Sequence, residues 1–313
     1  MSRFSKNPNE EEFLLQLNMA LSELESTQMT SGTERLPTMH VFGLPRSGTT
    51  LTLQQIVSSL DIGYINNLIA AFWMAPSCGI RLSRKLLPQE LKSSFNSEFG
   101  RTNSIEEPHE FGYFWSQHLG IDDMREPSSA DSARVDWSTL KRTIVSMCDS
   151  YERPIVFKNF YIGWYMAELT ALFERAIVVH VSRDLLDIAM SLLRMREQVY
   201  GSKDTWSSLK PKEYSWLKHE PYWVQVAGQV HFLDLSFREA VSRVPAGRLV
   251  QTTLEEIRTR PNDVVERVAN CLSSHGFDTL RHHPIESEFS ATRGTTSDTT
   301  DYQRVEAALT AFR

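Results

Sequence analysis

Apolar positions along the chain follow two spacings. Short apolar runs stand at Met39–Phe42, Ile155–Lys158, Ala176–Ser182 and Arg248–Thr252. Each suits a strand buried in a sheet. Between them, apolar residues fall three and four apart, the repeat of a helix with one buried face. That repeat predicts helices over 10–28, 51–60, 66–75, 80–95, 138–150, 163–175, 184–198, 220–244 and 262–274. In the first, Phe13, Leu14, Leu17, Leu21 and Leu24 form the expected buried stripe. Strands alternating with helices predict a parallel sheet covered on both faces, an α/β fold. The expected organisation is one domain over 1–313. Residues 1–37 form an N-terminal helix and linker, 38–275 the core, and 276–313 a C-terminal loop and helix. Residues 200–220, with Trp206 and Trp216, read as a long loop of the kind that is functional or mobile.

In a parallel sheet, ligands sit beyond the C-terminal strand ends. The loop leaving the first strand, Gly43-Leu-Pro-Arg-Ser-Gly-Thr-Thr50, lies on that edge. Gly43, Pro45 and Gly48 turn the chain, and a helix starts directly after. Its unpaired N–H groups and its dipole favour an anion. Arg46 adds a full charge, and Ser47, Thr49 and Thr50 add hydroxyls. As pure structure, two glycines, a proline and three hydroxyls contribute little core.

Composition narrows the partner. The chain of 313 residues is 41% hydrophobic, enough for a sizeable core. A net charge of −6 argues against broad nucleic-acid or anionic-membrane binding, though not against a local anion site. Cys78, Cys148 and Cys271 fit no zinc spacing and suit reduced thiols. The first residues lack a basic-then-apolar leader. The apolar patch Leu68–Ile80 is broken by Pro76 and Gly79 and is shorter than the about 20 residues a span needs. The expectation is a cytoplasmic protein with no membrane span. The oligomeric state is left open.

Gly43 and Gly48 have the spacing of a nucleotide triphosphate loop, but the following position is Thr49 and not Lys. The third apolar run ends Ser182-Arg183-Asp184, with Arg and Ser where a Mg²⁺-binding Asp would be sought. No metal site is expected. Triphosphate transfer leans on Mg²⁺ to neutralise charge, whereas a migrating sulfonate carries less.

Three segments together resemble a known family. Residues 43–50 look like the 5′-phosphosulfate loop of the sulfotransferases that use 3′-phosphoadenosine 5′-phosphosulfate. Ser182-Arg-Asp-Leu-Leu-Asp-Ile-Ala-Met-Ser191 looks like that family's 3′-phosphate motif. Leu254-Glu-Glu-Ile-Arg-Thr-Arg-Pro261 is similar to its late Tyr-Glu-Asp-Leu…Pro segment, with Leu254 in place of Tyr. The resemblance implies the sulfotransferase fold, a sheet related to that of nucleotide kinases, with this donor as co-substrate. It implies Pro45, Arg46, Ser47, Gly48, Thr49 and Thr50 at the 5′ side, and Arg183 and Ser191 at the 3′-phosphate. Arg293 and Gly294 would close over the nucleotide.

The acceptor side is less regular. Lys158, at a strand end, suits the charge on the bridging oxygen. Cytosolic relatives carry Lys-x-His there, but this chain has Lys158-Asn159-Phe160, and Phe160 takes no proton. The pattern is closer to the bacterial, Golgi or tyrosyl-protein branches. The replacement base is sought in Glu106-Glu-Pro-His-Glu110, in the order Glu110, His109, Glu107. Pro108 is expected to start a helix with His109 and Glu110 in its first turn; such acids also merely stabilise a helix dipole. His180, inside an apolar run, reads as a core histidine. Trp73, Tyr113, Trp115, Trp206, Trp216 and Trp223 are expected to flank the cleft, where rings suit a sugar, a glycolipid or another small-molecule alcohol as acceptor. The rival readings are an ATP-dependent phosphotransferase and a nucleotide-binding protein without catalysis.

Overall fold

The structure is a computed structural model that describes residues 6–88, 91, 93–279, 284–285, 289 and 299–312. Five strands form one sheet: β1 (Thr38–Phe42), β2 (Gly63–Tyr64), β3 (Ile155–Lys158), β4 (Ile177–Ser182) and β5 (Leu249–Thr253). Their order is β2-β3-β1-β4-β5 and every pairing is parallel. β1 is central and buried at every position. Its side chains alternate across the sheet. Met39 and Val41 join Leu53, Ile56 and Val57 of the helix Thr49–Ser59, and Val264, Val268 and Leu272 of the helix Pro261–Ser274. Phe42 faces the larger core on the other side, with its ring 5.6 Å from that of Phe237. His40, also on that side, stacks on Phe157 at 5.7 Å. Burial holds its imidazole neutral, with a pKa pushed down to about 3.

The four long strands fall where the apolar runs predict. β2 is too short for any pattern to announce. Helix 80–95 is displaced to Pro76–Leu86 because Pro76 takes the first turn, where its missing N–H costs nothing. The first helix, Pro8–Gln28, buries only part of the expected stripe: Leu14, Leu17 and Leu21 are half-buried, Phe13 and Leu24 are exposed, and its fully buried residues are Asn18 and Glu25. Asn18 donates to the carbonyls of Leu14 and Ala71 and accepts from Met74 N, each at 2.8 Å. Glu25 accepts from Ser77 N at 3.0 Å and so caps the helix Pro76–Leu86, which has no side-chain cap of its own. These two buried polar anchors share the face of Leu14, Leu17 and Leu21 and are paired, as burial demands of them.

Residues 200–220 are a fastened loop. Arg196, fully buried on the helix Leu185–Tyr200, donates to Gln225 Oε1 at 3.1 Å, Gln229 Oε1 at 3.0 Å and Lys203 O at 3.2 Å. Gln229 in turn donates to Ser207 O and Leu209 O at 2.8 and 2.7 Å. The C-terminal helix Thr299–Phe312 inserts Val305 and Leu309 into the larger core. No helix among the described residues is long and apolar enough to cross a membrane.

Candidate active site

The parallel register brings the ends of β1, β3, β4 and β5 to one edge of the sheet. A cavity of about 960 Å³ opens there, and Pro45, Lys158, Ser182 and Thr253 line it. The loop Gly43–Gly48 forms its floor. Gly43 is required by space: a Cβ there would sit 2.2 Å from Val181 O and 2.7 Å from Ser47 Oγ. Gly48 is required by conformation, with φ +104°, and a Cβ there would also meet Leu254 Cδ1 at 2.6 Å. Gly48 caps the helix Thr49–Ser59 without a side-chain hydrogen bond. The first N–H groups of that helix therefore have no cap from its own sequence. Thr49 and Thr50 line the cavity beside them.

Arg46 is a non-glycine residue at φ +74°. Its Nε donates to Ser191 Oγ at 3.1 Å, and Arg183 donates to the Arg46 carbonyl at 3.1 Å. The loop and the helix after β4 thus meet through these three side chains. Burial, then the nearby charges of Arg183 and Arg194, push the Arg46 guanidinium down from its ordinary value, while Glu110 opposes them. Like charges gathered in a half-buried site are unfavourable until an anion joins them. Arg183 has a partial partner in Asp187 at 3.4 Å.

Lys158 ends β3 with its side chain 2% exposed, and its Nζ pairs with Glu110 Oε1. Burial pushes the amine below the usual lysine range, and the Glu110 carboxylate partly restores it. Asn159 donates to the Glu110 carbonyl at 2.9 Å and so orients that segment. Above the pair lies a strap, residues 93–101. A Cβ on its Gly100 would be 3.2 Å from Glu110 Oε1, 3.4 Å from Thr50 Oγ1 and 3.8 Å from Lys158 Nζ. Arg46 stacks its guanidinium 5.4 Å from the Phe99 ring, and Lys158 Nζ lies 4.7 Å from the Phe160 ring. Seven described non-glycine residues have positive φ, and four of them, Arg46, Phe95, Phe99 and Ser208, line this cavity. Backbone strain of this kind concentrates at functional sites.

Most of the predicted residues converge here. Pro45, Arg46, Gly48, Thr49, Thr50, Lys158 and Arg183 line the cavity, Ser191 joins through Arg46, and Glu110 through Lys158. Ser47 does not line it: its buried hydroxyl turns in against Gly43. His109 and Glu110 precede the helix Gly112–Leu119 and do not sit in its first turn. Pro108 instead bridges to Asn66 beyond β2, and Phe111, at φ +55°, forms the helix boundary. His109 is exposed, with Nδ1 accepting from Phe111 N at 2.9 Å. Glu107 is buried outside the cavity, its carboxylate taken up by Gln54, Ser93 and Ser94. His180 packs beside Phe42 at 5.1 Å, and burial pushes its pKa down to about 4. Arg293 and Gly294 lie outside the described residues. The cavity's aromatic lining is Phe95, Phe99, Phe160 and Phe289, not the expected tryptophans and Tyr113. Trp115 is instead fully buried core. The strap and Arg194 escaped the sequence reading. Arg194 stands seven after Asp187 and three after Ser191, so one helical face carries all three.

The profile of the Sulfotransferase family matches residues 37–274. Among solved structures, the chain is similar to the sulfotransferase STF1 of Mycobacterium tuberculosis H37Rv, with 13% identity, covering 82% of this chain and 72% of that one, at a TM-score of 0.53. It is also similar to STF9 of Mycobacterium avium, with 14% identity over 97% of this chain and 78% of that one, at a TM-score of 0.49. The search of curated proteins returns no significant match. The STF1 likeness speaks for the fold, and the family match covers the 43–50 loop, the 182–191 segment and the strand that ends in Lys158. The chain belongs to the sulfotransferase family.

Proposed function

We propose that the chain transfers a sulfonate from 3′-phosphoadenosine 5′-phosphosulfate to the hydroxyl of a small-molecule alcohol, a sugar or a glycolipid. The meeting of Arg46 with both Ser191 and Arg183 carries this reading, since it joins two anion-binding segments into one clamp. The loop 43–50 with Arg46 takes the 5′-phosphate and the sulfonate. Arg183, with its planar fork of donors, takes the 3′-phosphate together with Ser191.

Glu110 is the base of this proposal and Lys158 the cation. The acceptor oxygen forms a bond to sulfur as the bond from sulfur to the phosphate oxygen breaks. The hydroxyl proton passes to the Glu110 carboxylate, and Lys158 offsets the charge left on the phosphate oxygen. The ion pair sets the Glu110 carboxylate and the Lys158 amine side by side at the point of transfer. The strap and Phe160 cover this point and limit the access of water, which would otherwise consume the donor.

Thermal unfolding tests the donor. Adenosine 3′,5′-bisphosphate should raise the midpoint, and ATP with Mg²⁺ should not. Stabilisation by ATP with Mg²⁺ alone would sink the proposal in favour of a phosphotransferase.

A further inference from the structure

Glu107 is 2% exposed, and among the described residues the groups that donate to it are all neutral. Its Oε1 accepts from Ser94 N at 2.7 Å and Ser94 Oγ at 3.0 Å, and its Oε2 from Gln54 Nε2 at 3.1 Å. Ser93 Oγ reaches both oxygens, at 3.1 and 3.0 Å. With its acceptor sites filled in this way, it has little capacity left for a substrate proton, and it does not line the cavity. Burying a carboxylate against neutral donors alone is costly compared with an apolar side chain of the same size. What the cost secures is a junction. Gln54 belongs to the helix that begins at the phosphate loop and itself lines the cavity. Ser93 and Ser94 begin the strap. Glu110 follows Glu107 by three residues on the same segment.

The strap leaves this junction and returns to it. Its far end is tied by Thr102 Oγ1 donating to Pro108 O at 2.9 Å. Between the two ties the chain turns through three left-handed residues, Phe95 at φ +52°, Phe99 at +50° and Gly100 at +86°. Glu98 and Arg101 exchange both backbone hydrogen bonds, at 2.9 and 3.0 Å, and close the tip. The tip presents Phe99 to Arg46 and Gly100 to Glu110, Thr50 and Lys158. Left-handed phenylalanines each carry a strain that only firm anchoring maintains.

We propose that Glu107 is a positioning residue of the transfer reaction: its carboxylate clamps the strap to the phosphate-loop helix and so holds Phe99 and Gly100 over the Glu110–Lys158 pair. This rests on the sulfonate-transfer reading of the site. The role differs from that of a base, because the proton goes to Glu110 and Glu107 fixes the distance over which it travels.

Glu107→Gln keeps the shape but turns an NH₂ toward donors. Amide hydrogen exchange over 94–100 should accelerate about tenfold or more. Stabilisation by adenosine 3′,5′-bisphosphate should persist, since Arg46, Arg183 and Ser191 are untouched. Sulfonate transfer to a small alcohol offered in excess, such as glycerol, should fall about ten- to a hundredfold at unchanged donor KM, while hydrolysis of the donor rises as the loosened strap admits water. Wild-type exchange over the strap, or wild-type transfer per folded molecule, would overturn the proposal. If Glu107→Gln does not fold, the double variant Ser93→Ala with Ser94→Ala cuts the same clamp from the strap side and is judged by the same readouts. The exchange comparison needs no acceptor. A wild-type chain indifferent to the bisphosphate would refute the donor reading, while strap exchange still decides whether Glu107 holds the strap.

Discussion

The cavity has two walls of different construction. The wall proposed to face the phosphates is made from short contiguous segments at strand ends, the 43–50 loop after β1 and Arg183 after β4. A strand, a turn and a helix start place these groups chiefly through backbone geometry. The wall proposed for the transfer step is assembled from distant pieces: Lys158 from β3, Glu110 before a helix, and a strap hydrogen-bonded to Glu107. The first wall follows from local chain chemistry, so it tolerates changes elsewhere. The second depends on side-chain junctions, so single substitutions far from the reacting atoms should disturb it.

The largest effect is expected where the second wall meets chemistry. Glu110→Gln should lower turnover by about 10²–10⁴-fold, the usual worth of a positioned base. Bisphosphate stabilisation should stay at the wild-type level. A variant that loses both together would erase the distinction between the walls. If Lys158 acts in its protonated form as proposed, activity should also decline on the alkaline side, and earlier than an ordinary lysine predicts, because burial lowers the pKa of its amine.

The next effect probes the first wall. Arg183→Ala should weaken bisphosphate binding about ten- to a hundredfold, the worth of a charged hydrogen-bond partner. Arg183→Lys should recover part of that, because it restores charge without the fork. Isothermal titration with the bisphosphate measures both. Unchanged affinity in the alanine variant would remove Arg183 from the clamp and leave the loop alone as the anion site.

Gly48→Ala tests whether backbone geometry is what builds that wall. The left-handed φ of +104° and the approach of Leu254 Cδ1 both oppose a methyl group. The expected loss is about 1–3 kcal/mol in denaturant unfolding. Adding Leu254→Ala should relieve the contact and leave the strain, so only part of the loss returns. Full recovery would mean that space, and not conformation, selects glycine there.

The same division explains what the sequence disclosed. The loop 43–50 is legible because glycine, proline, arginine and hydroxyls in succession have few other uses, and Arg183 stands just before the helix that carries Ser191. Lys158 is legible as the first polar residue after an apolar run. Glu107, Ser93 and Gln54 are not, because the partners precede Glu107 by 14 and 53 residues. No periodicity records such a pairing. Glu110 was legible by residue type alone; the helix start expected from Pro108 gave way to the bridge between Pro108 and Asn66. The missing tryptophan platform has a similar cause: size and apolarity drew Trp115 into the core, and smaller rings on the strap took the cavity.

The smallest effect separates scaffold from site. His40 sits in β1 directly behind the loop, and burial pushes its pKa from 6.5 down to about 3. Between those values the unfolded chain binds a proton that the folded chain refuses, so stability falls as pH falls. One such group contributes a slope of about 1.4 kcal/mol per pH unit across that window. His118 and His180, each pushed down to about 4 by burial, add to the slope over most of it. His40→Phe retains a ring against Phe157 and should reduce the slope by one proton's worth, read from urea unfolding at neutral and mildly acid pH. Turnover at neutral pH should stay at the wild-type level in His40→Phe, because the ring lies behind the loop and does not line the cavity. A folded variant that loses turnover at neutral pH would mean that the ring against Phe157 helps to shape the wall.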